Sequence, residues 1–244
     1  MKAVVTAGGR IAGAYAHLAG TTVKALVEIQ GITMLDRVLG ALRGAGASQI
    51  AVVGGEEVAR ACRDRVERVI GDTGSGTGNL VRALRAWPDD GEPLIYATSD
   101  MPYVSAEAIV DFLSRVPPGH VALPLAEMDA FARRFPGAPP AGITLAGERV
   151  VNGDVFTIPG GSIDAVERVA AKFFQARKRP WQMAGLVSPR LMVRFLFRRL
   201  GIGHLEEHAR GVLGVSAVAV RGCRPELAFD ADNVEEYEYA RGHA

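Results

Sequence analysis

The sequence predicts an α/β fold in three layers, a mostly parallel mixed sheet with helices on both faces. Two observations predict it. Short apolar, β-branched runs alternate with segments whose apolar residues recur at helical spacing, and such alternation builds βαβ units around a largely parallel sheet. The runs Val4-Val5-Thr6 and Ile50-Ala51-Val52-Val53 are continuous rather than alternating, as strands covered by helices on both sides require.

Composition bounds the rest. The chain has 244 residues, of which 48% are apolar, enough for one large core, and it reads as a single domain (1–244) with a less regular lobe at 125–226. With 28 Lys+Arg against 27 Asp+Glu the net charge is +1, so there is no global pull towards nucleic acid or an anionic membrane. Cys62 and Cys223 lack CxxC spacing, which argues for a reducing compartment and against a thiolate metal site. No signal peptide is visible and no apolar run approaches the ~20 residues that span a bilayer. The expected compartment is the cytoplasm, and the oligomeric state is not readable.

The elements follow in order. Val4 to Thr6 is a buried strand closed by Ala7-Gly8-Gly9, and Ala25 to Ile29 is a short extended segment ended by the turn Gln30-Gly31. Thr33 caps a helix whose stripe is Leu35, Val38, Leu39 and Leu42, ending near Gly44 and Gly46. After the strand Ile50 to Val53, a helix carries Val58, Cys62, Val66 and Val69. The glycine-rich stretch Gly71 to Asn79 leads into a helix with Leu80, Leu84 and Trp87. Leu94 to Thr98 is a strand, and Ser105 opens a helix with Ile109, Phe112, Leu113 and Val116.

The second half is less regular. His120 to Leu123 is a strand, and Phe135 to Pro140 fits neither helix nor central strand, so it reads as an excursion over an active-site face. Ile143 to Leu145 and Val150-Val151 form a hairpin around Ala146-Gly147 that continues to Val155 to Ile158. Ser162 opens one helix and Ser188-Pro189 another, with serine at the cap and proline at the first turn. Ser216 to Val220 and Leu227 to Phe229 are late strands, and Asn233 caps a last helix, Val234 to Ala240.

Ligands of open α/β sheets sit outside the carboxyl ends of the strands. Three groups fall at such ends: the Ala7-Gly8-Gly9 loop, Asp100, and the pair Asp230 and Asp232. Bare glycine backbone suits an anion, Arg10 and Lys24 supply positive charge for a triphosphate, and carboxylates around phosphate oxygens suit a hard cation. Asp100 also has a structural reading, as a cap for the turn at Pro102 to Ser105.

At this point the residues resemble a family. Ala7-Gly8-Gly9, Val23 to Leu26 before a glycine turn, Thr98-Ser99-Asp100-Met101-Pro102 and Asp230 to Tyr237 look like the nucleotidyltransferases of the molybdopterin-cofactor and sugar-phosphate type, the MobA-like NTP transferases. The resemblance implies a Rossmann-like fold of the GT-A type with an acceptor-binding lobe. It implies transfer of a nucleoside monophosphate from an NTP to a phosphorylated small-molecule acceptor, with Mg²⁺ and release of pyrophosphate. Carried over, Ala7, Gly8, Gly9 and Arg10 hold the triphosphate, and Lys24 neutralises it. Asp100, preceded by Ser99, is the principal metal ligand, and Asp230 or Asp232 completes the site. Gly76 and Asn79 belong to the segment beside the nucleobase. The family pattern Gly-Gly-x-Gly-x-Arg is broken here, since Arg10 comes early and the loop from Gly13 to Thr22 is longer and more apolar.

The acceptor side rests on less. Asn152 is a candidate for an acceptor hydroxyl, or a plain turn residue before Gly153. Lys172, Arg177, Lys178 and Arg179, then Arg190, Arg194 and Arg198 at i, i+4, i+8, form a basic ridge that suits an anionic acceptor or makes a solvated face. His204-Leu205-Glu206-Glu207-His208 matches H-x-x-E-H in form, but it reads better as a polar surface helix than a zinc site. A GT-A glycosyltransferase and a non-catalytic nucleotide binder are the other two readings. Neither nucleic acid nor membrane is expected as a partner.

Overall fold

The computed structural model describes residues 1–176 and 188–243. Its first half contains β1 (Lys2–Thr6), α1 (Gly13–Ala19), the small hairpin β2 (Glu28–Ile29) and β3 (Ile32–Thr33), α2 (Met34–Gly44), β4 (Gln49–Gly54), α3 (Glu56–Cys62), β5 (Arg68–Gly71), α4 (Gly76–Leu84), β6 (Leu94–Thr98) and α5 (Ala106–Ser114). Hydroxyl caps start three of these first-half helices. Thr33, Ser75 and Ser105 accept from the backbone N–H of Asp36, Gly78 and Ala108, satisfying donors that a helix start leaves open.

The second half contains β7 (His120–Glu127), α6 (Met128–Arg134), β8 (Ile143–Leu145), β9 (Glu148–Asn152), β10 (Val155–Ile158), α7 (Ile163–Ala176), α8 (Pro189–Leu196), α9 (Ile202–Leu213), β11 (Ser216–Val220) and α10 (Val234–His243). Nine strands form one sheet in the order β5-β4-β1-β6-β10-β7-β9-β8, with β11 on the free side of β7. Strands β5, β4, β1 and β6 are mutually parallel, β11 is parallel to β7, and β10 and β9 run against their neighbours. The fold is Rossmann-like, as the sequence predicts.

The three layers follow from alternation along the strands. Ala3, Val5 and Val52 pack with Leu35, Val38 and Leu42 of α2 and Ile109 and Phe112 of α5, whereas Val4, Ala51 and Val53 face Leu80 and Leu84 of α4 and Ile163 of α7. Both faces are dry, which is why these strands carry no polar alternation. Pro124 sits mid-strand in β7, where it lacks a donor. It falls at the step where pairing passes from β10, with Thr157 opposite Ala122, to β9, with Asn152 opposite Leu125, while β11 pairs along the other edge up to Val220 opposite Pro124.

Several expected elements differ. Val66 and Val69 leave the helix, because α3 ends at Cys62 and Arg68–Gly71 pairs with β4 as an edge strand. Lys24–Leu26 is a 3-10 turn, not an extended run. Trp87 lies past α4, with its indole N–H donating to the Ala3 carbonyl at 2.9 Å. Leu227 ends a 3-10 turn instead of starting a strand, and its carbonyl accepts from Asp154 N–H at 3.0 Å. The apolar loop Gly13 to Thr22 is largely α1. Phe135 to Pro140 is irregular, and Phe135 anchors it by packing on Tyr103, Phe131 and Phe229. Both cysteines are free and buried. Among the described residues no helix is long and apolar enough to cross a membrane.

Candidate active site

The loop after β1 is tied down at both ends. Ala7 N–H donates to the Val53 carbonyl at 2.8 Å, Lys24 N–H to the Gly9 carbonyl at 3.0 Å, and Ile11 N–H to the Thr22 carbonyl at 3.0 Å. These bonds lay residues 22–24 against the glycine loop, so the 3-10 turn at Lys24 starts beside Gly9. An ideal Cβ on Gly9 would lie 3.4 Å from Lys24 Cβ. The lysine is 8% exposed, and its ammonium points across the ends of β1 and β6.

There it meets carboxylates. Lys24 Nζ lies 2.5 Å from Asp100 Oδ2 and also donates to Asp232 Oδ1. The second contact depends on the C-terminal segment, which backbone bonds hold in place: Ala231 N–H donates to the Asp100 carbonyl at 3.0 Å, and Tyr15 Oη donates to the Ala231 carbonyl at 2.9 Å. Asn233 and Glu236 then form a reciprocal cap on α10, with Glu236 N–H donating to Asn233 Oδ1 at 3.0 Å and Asn233 N–H to Glu236 Oε2 at 3.1 Å, and Asp232 N–H donates to the same Oε2 at 2.7 Å. The lengthened loop thus has a use, because α1 carries the Tyr15 that braces Ala231 and packs on Tyr237 at 5.2 Å between ring centres.

A fourth group is Asp154, in the connection from β9 to β10. It was not legible from the sequence, where Asn152-Gly153 reads as an ordinary turn. Because β10 is antiparallel to β6, with Val155 opposite Ala97, the start of β10 lies at the same sheet edge as the carboxyl end of β6. Asp154 is held by Thr98 N–H donating to its carbonyl at 3.2 Å. Gly153 is obligatory, since a Cβ would fall 2.5 Å from the Leu227 carbonyl oxygen.

The charges divide sharply. Burial pushes the Asp154 carboxyl up, and the nearby charges of Asp100, Asp230 and Asp232 add to it, bringing it to about 8. Asp230 is raised to about 7 by burial and then by Asp232 and Asp100. For Asp232 burial acts in the same direction, but the hydrogen bond from Lys24 and its charge outweigh it and hold the carboxyl below the usual range. Burial would lower the Lys24 ammonium, yet Asp100 and Asp232 hold it above the ordinary lysine value. Asp100 Oδ1 is buried and has no hydrogen-bond partner. Among the described residues no three His, Cys, Asp or Glu side chains stand at metal-ligand spacing.

On the other side of the glycine loop lies Asn79. Its Oδ1 accepts from Thr73 N–H at 2.9 Å and its Nδ2 donates to Asp72 Oδ1 at 2.7 Å. It is buried, so it orders the turn before α4, and Gly76 begins that helix. Arg10 points elsewhere, with its guanidinium on the Glu57 carboxylate at 3.1 and 3.2 Å. Ser99 is buried behind Asp100. Asn152 ends β9 with an exposed side chain. Lys178 lies outside the described residues. His204 Nδ1 accepts from Gly201 N–H at 3.1 Å, which makes it a cap for α9.

Comparison with known proteins decides the family. The model of the MobA-like NTP transferase domain matches residues 3–228. The chain belongs to the MobA-like NTP transferase family. It is a nucleotidyltransferase, and the matched span holds every site residue except Asp230 and Asp232. A hypothetical transferase from Thermus thermophilus is 28% identical, with a TM-score of 0.85 and 98% of each chain covered. A Mycobacterium tuberculosis protein solved with manganese is 18% identical, with a TM-score of 0.55 over 100% of this chain and 98% of that one. A 4-diphosphocytidyl-2C-methyl-D-erythritol synthase from Anaerococcus prevotii is 10% identical, with a TM-score of 0.60 over 99% and 94%. These last two likenesses show the fold of the transferase. No curated protein sequence matches.

Proposed function

We propose that this transferase moves a nucleoside monophosphate from an NTP to a phosphorylated small-molecule acceptor, releases pyrophosphate and requires Mg²⁺. One observation carries the reading: a single buried ammonium, Lys24, stands among four carboxylates at the carboxyl edge of the sheet. Such a site repels a triphosphate until more positive charge arrives. The residues fit a hard cation. All donors are oxygens, Asp100 Oδ1 is buried without a partner, and Mg²⁺ takes one or two carboxylates with substrate phosphates and waters, so a third preset protein ligand is unnecessary. Asp100 and Asp232 would hold the ion, with Asp230 adjacent. Bound there, it supplies Lewis-acid neutralisation of phosphate oxygens, and the manganese in the mycobacterial relative's crystal supports a divalent site.

The chain's own groups do the remaining work. The N–H groups of Gly8 and Gly9 approach the triphosphate where no Cβ obstructs them, and Lys24 neutralises charge at the α-phosphate. An acceptor phosphate oxygen bonds to the α-phosphorus as the bond from that phosphorus to the bridging oxygen breaks, and pyrophosphate leaves with the electron pair. Positioning suffices, and no covalent enzyme intermediate is needed. The lobe 125–226 lies on the acceptor side of this reading, and the cytoplasm supplies the NTP.

The test is incubation with each NTP, Mg²⁺ and a panel of phosphorylated acceptors, with pyrophosphate as the readout. Sugar transfer from a nucleotide-sugar would replace the reading with a glycosyltransferase, and nucleotide binding without turnover would replace it with a binder.

A further inference from the structure

The helix Pro189–Leu196 reverses the usual rule that an amphipathic helix turns its apolar arc inward. Ser188 caps it by accepting from Leu191 N–H at 3.3 Å. Leu191 alone of its apolar side chains is buried, in the small cluster with Leu125 and Val150 of β7 and β9. Met192, Val193, Phe195 and Leu196 face solvent, and Phe197 follows them. Leu196 is 75% exposed and Phe197 71%. Met192, Phe195 and Leu196, at i, i+3 and i+4, share one face.

Positive charge borders this face. Arg190 and Arg194 run along its flank and Arg198 and Arg199 close its end, all exposed. No acidic residue occurs from Ser188 to Gly203. Among the described residues the arginine ion pairs lie elsewhere, at positions 10, 43, 65, 85, 115, 134 and 221. The helix stop keeps this composition at a cost. Arg198 N–H donates to the Phe195 carbonyl at 2.9 Å and Arg199 N–H to the Arg194 carbonyl at 2.7 Å, with Arg198 at φ 54. That left-handed position normally takes glycine, so the backbone is strained at Arg198. Arg194, Arg199 and His204 also line an open cleft of about 380 Å³ with Val193 and Phe197, room for a phosphodiester beside apolar side chains.

The occupant must satisfy both features. A second copy meeting this surface across a two-fold axis would set four arginines against four. A neutral apolar partner would strip water from unpaired guanidiniums. An anionic bilayer accepts large apolar side chains at the acyl boundary and presents phosphates to arginines that snorkel towards them. It also needs no groove to match a convex ridge. We propose that the segment from Pro189 to Arg199 docks this protein on an anionic lipid surface, with the helix lying in the interface. The whole-chain charge of +1 conceals this patch, and the lack of a spanning helix bears on crossing a bilayer, not on lying in its surface.

The test is co-sedimentation of the full chain with vesicles of phosphatidylcholine alone or with about 30 mol% phosphatidylglycerol, at about 0.1 and 0.5 M salt. We expect pelleting with the anionic vesicles only, weakened by salt. Phe195→Ser with Leu196→Ser, and separately Arg194→Glu with Arg198→Glu, should each cut binding by about tenfold or more. Both should leave the melting temperature within a degree or two, because these side chains are exposed. Wild-type protein that ignores anionic vesicles, or variants that bind as well as wild type, overturns the proposal. So does a wild-type dimer, without vesicle binding, that Phe195→Ser with Leu196→Ser makes monomeric, or capture by an acidic protein without vesicle binding; these outcomes assign the surface to another occupant.

Discussion

The side-chain amide of Asn79 occupies the space where Gly8 would carry a Cβ: an ideal Cβ there would lie 2.2 Å from Asn79 Nδ2 and 3.0 Å from Asp72 Oδ1. Asn79 cannot withdraw cheaply, since it is buried and bonded to Asp72 and Thr73. Gly8→Ala should therefore destabilise the protein by about 1–3 kcal/mol and weaken NTP binding together. Gly9→Ala meets only the flexible Lys24 stem and should cost less. Thermal melts and nucleotide titrations of the two variants check the contrast.

Asp100→Asn should leave the fold nearly intact, because the amide keeps the shape of the side chain and Lys24 still pairs with Asp232. It should lower turnover by about 10²-fold or more and weaken divalent-cation binding measured by calorimetry. A folded Asp100→Asn protein with near-wild-type turnover would remove Asp100 from the metal site. The same change at Asp230 and at Asp232 separates their roles, and Asp232, which already shares Lys24 with Asp100, is expected to cost more.

Lys24→Met should lower kcat more than it raises KM for NTP, the signature of an interaction made mainly in the transition state. It also leaves the carboxylates uncompensated. Loss of one partner of a buried pair costs about 3–5 kcal/mol, and the loss should be larger at pH 8 than at pH 5, where Asp154 and Asp230 hold protons. Urea melts at the two pH values test this.

The metal-free protein should lose stability as pH rises from about 5 to 8. Asp154 and Asp230 have folded values of about 8 and 7 against about 3.9 in an unfolded chain, so the folded state holds more protons across this window. Their contribution is complete below the unfolded value and is lost as pH climbs through the folded ones. The raised Lys24 value keeps its contribution throughout, since lysine is charged in both states here. Melting curves in chelator should slope downward, and Mg²⁺ or Mn²⁺ added above pH 7 should restore much of the loss. A flat or rising profile would contradict the grouping of these carboxylates.

Lys178→Ala should raise KM for a phosphorylated acceptor while NTP binding stays unchanged, if the basic segment at 177–179 meets the acceptor. Steady-state kinetics with the acceptor varied decides it, and an unaltered KM returns the segment to ordinary surface.

The sequence alone determined the layers and the parallel half of the sheet, because continuous apolar strands and capped amphipathic helices are local patterns. Gly8 and Asp100 stood out as candidates for the same reason, as each follows a strand end, whereas Lys24 was a candidate through its charge and the family resemblance. The edge strand Arg68–Gly71 escaped because Val66 and Val69 extend the helical spacing of α3, and pairing with β4 overrode it. Only the tertiary structure decided that Asp154 joins the site, since the direction of β10 depends on its neighbours and a carboxylate before a strand reaches the carboxyl edge only if that strand is reversed. The same holds for Asp232, brought to Lys24 across 208 positions by the Ala231 to Asp100 bond, and for Arg10, which its neighbour Glu57 draws away from the loop it follows.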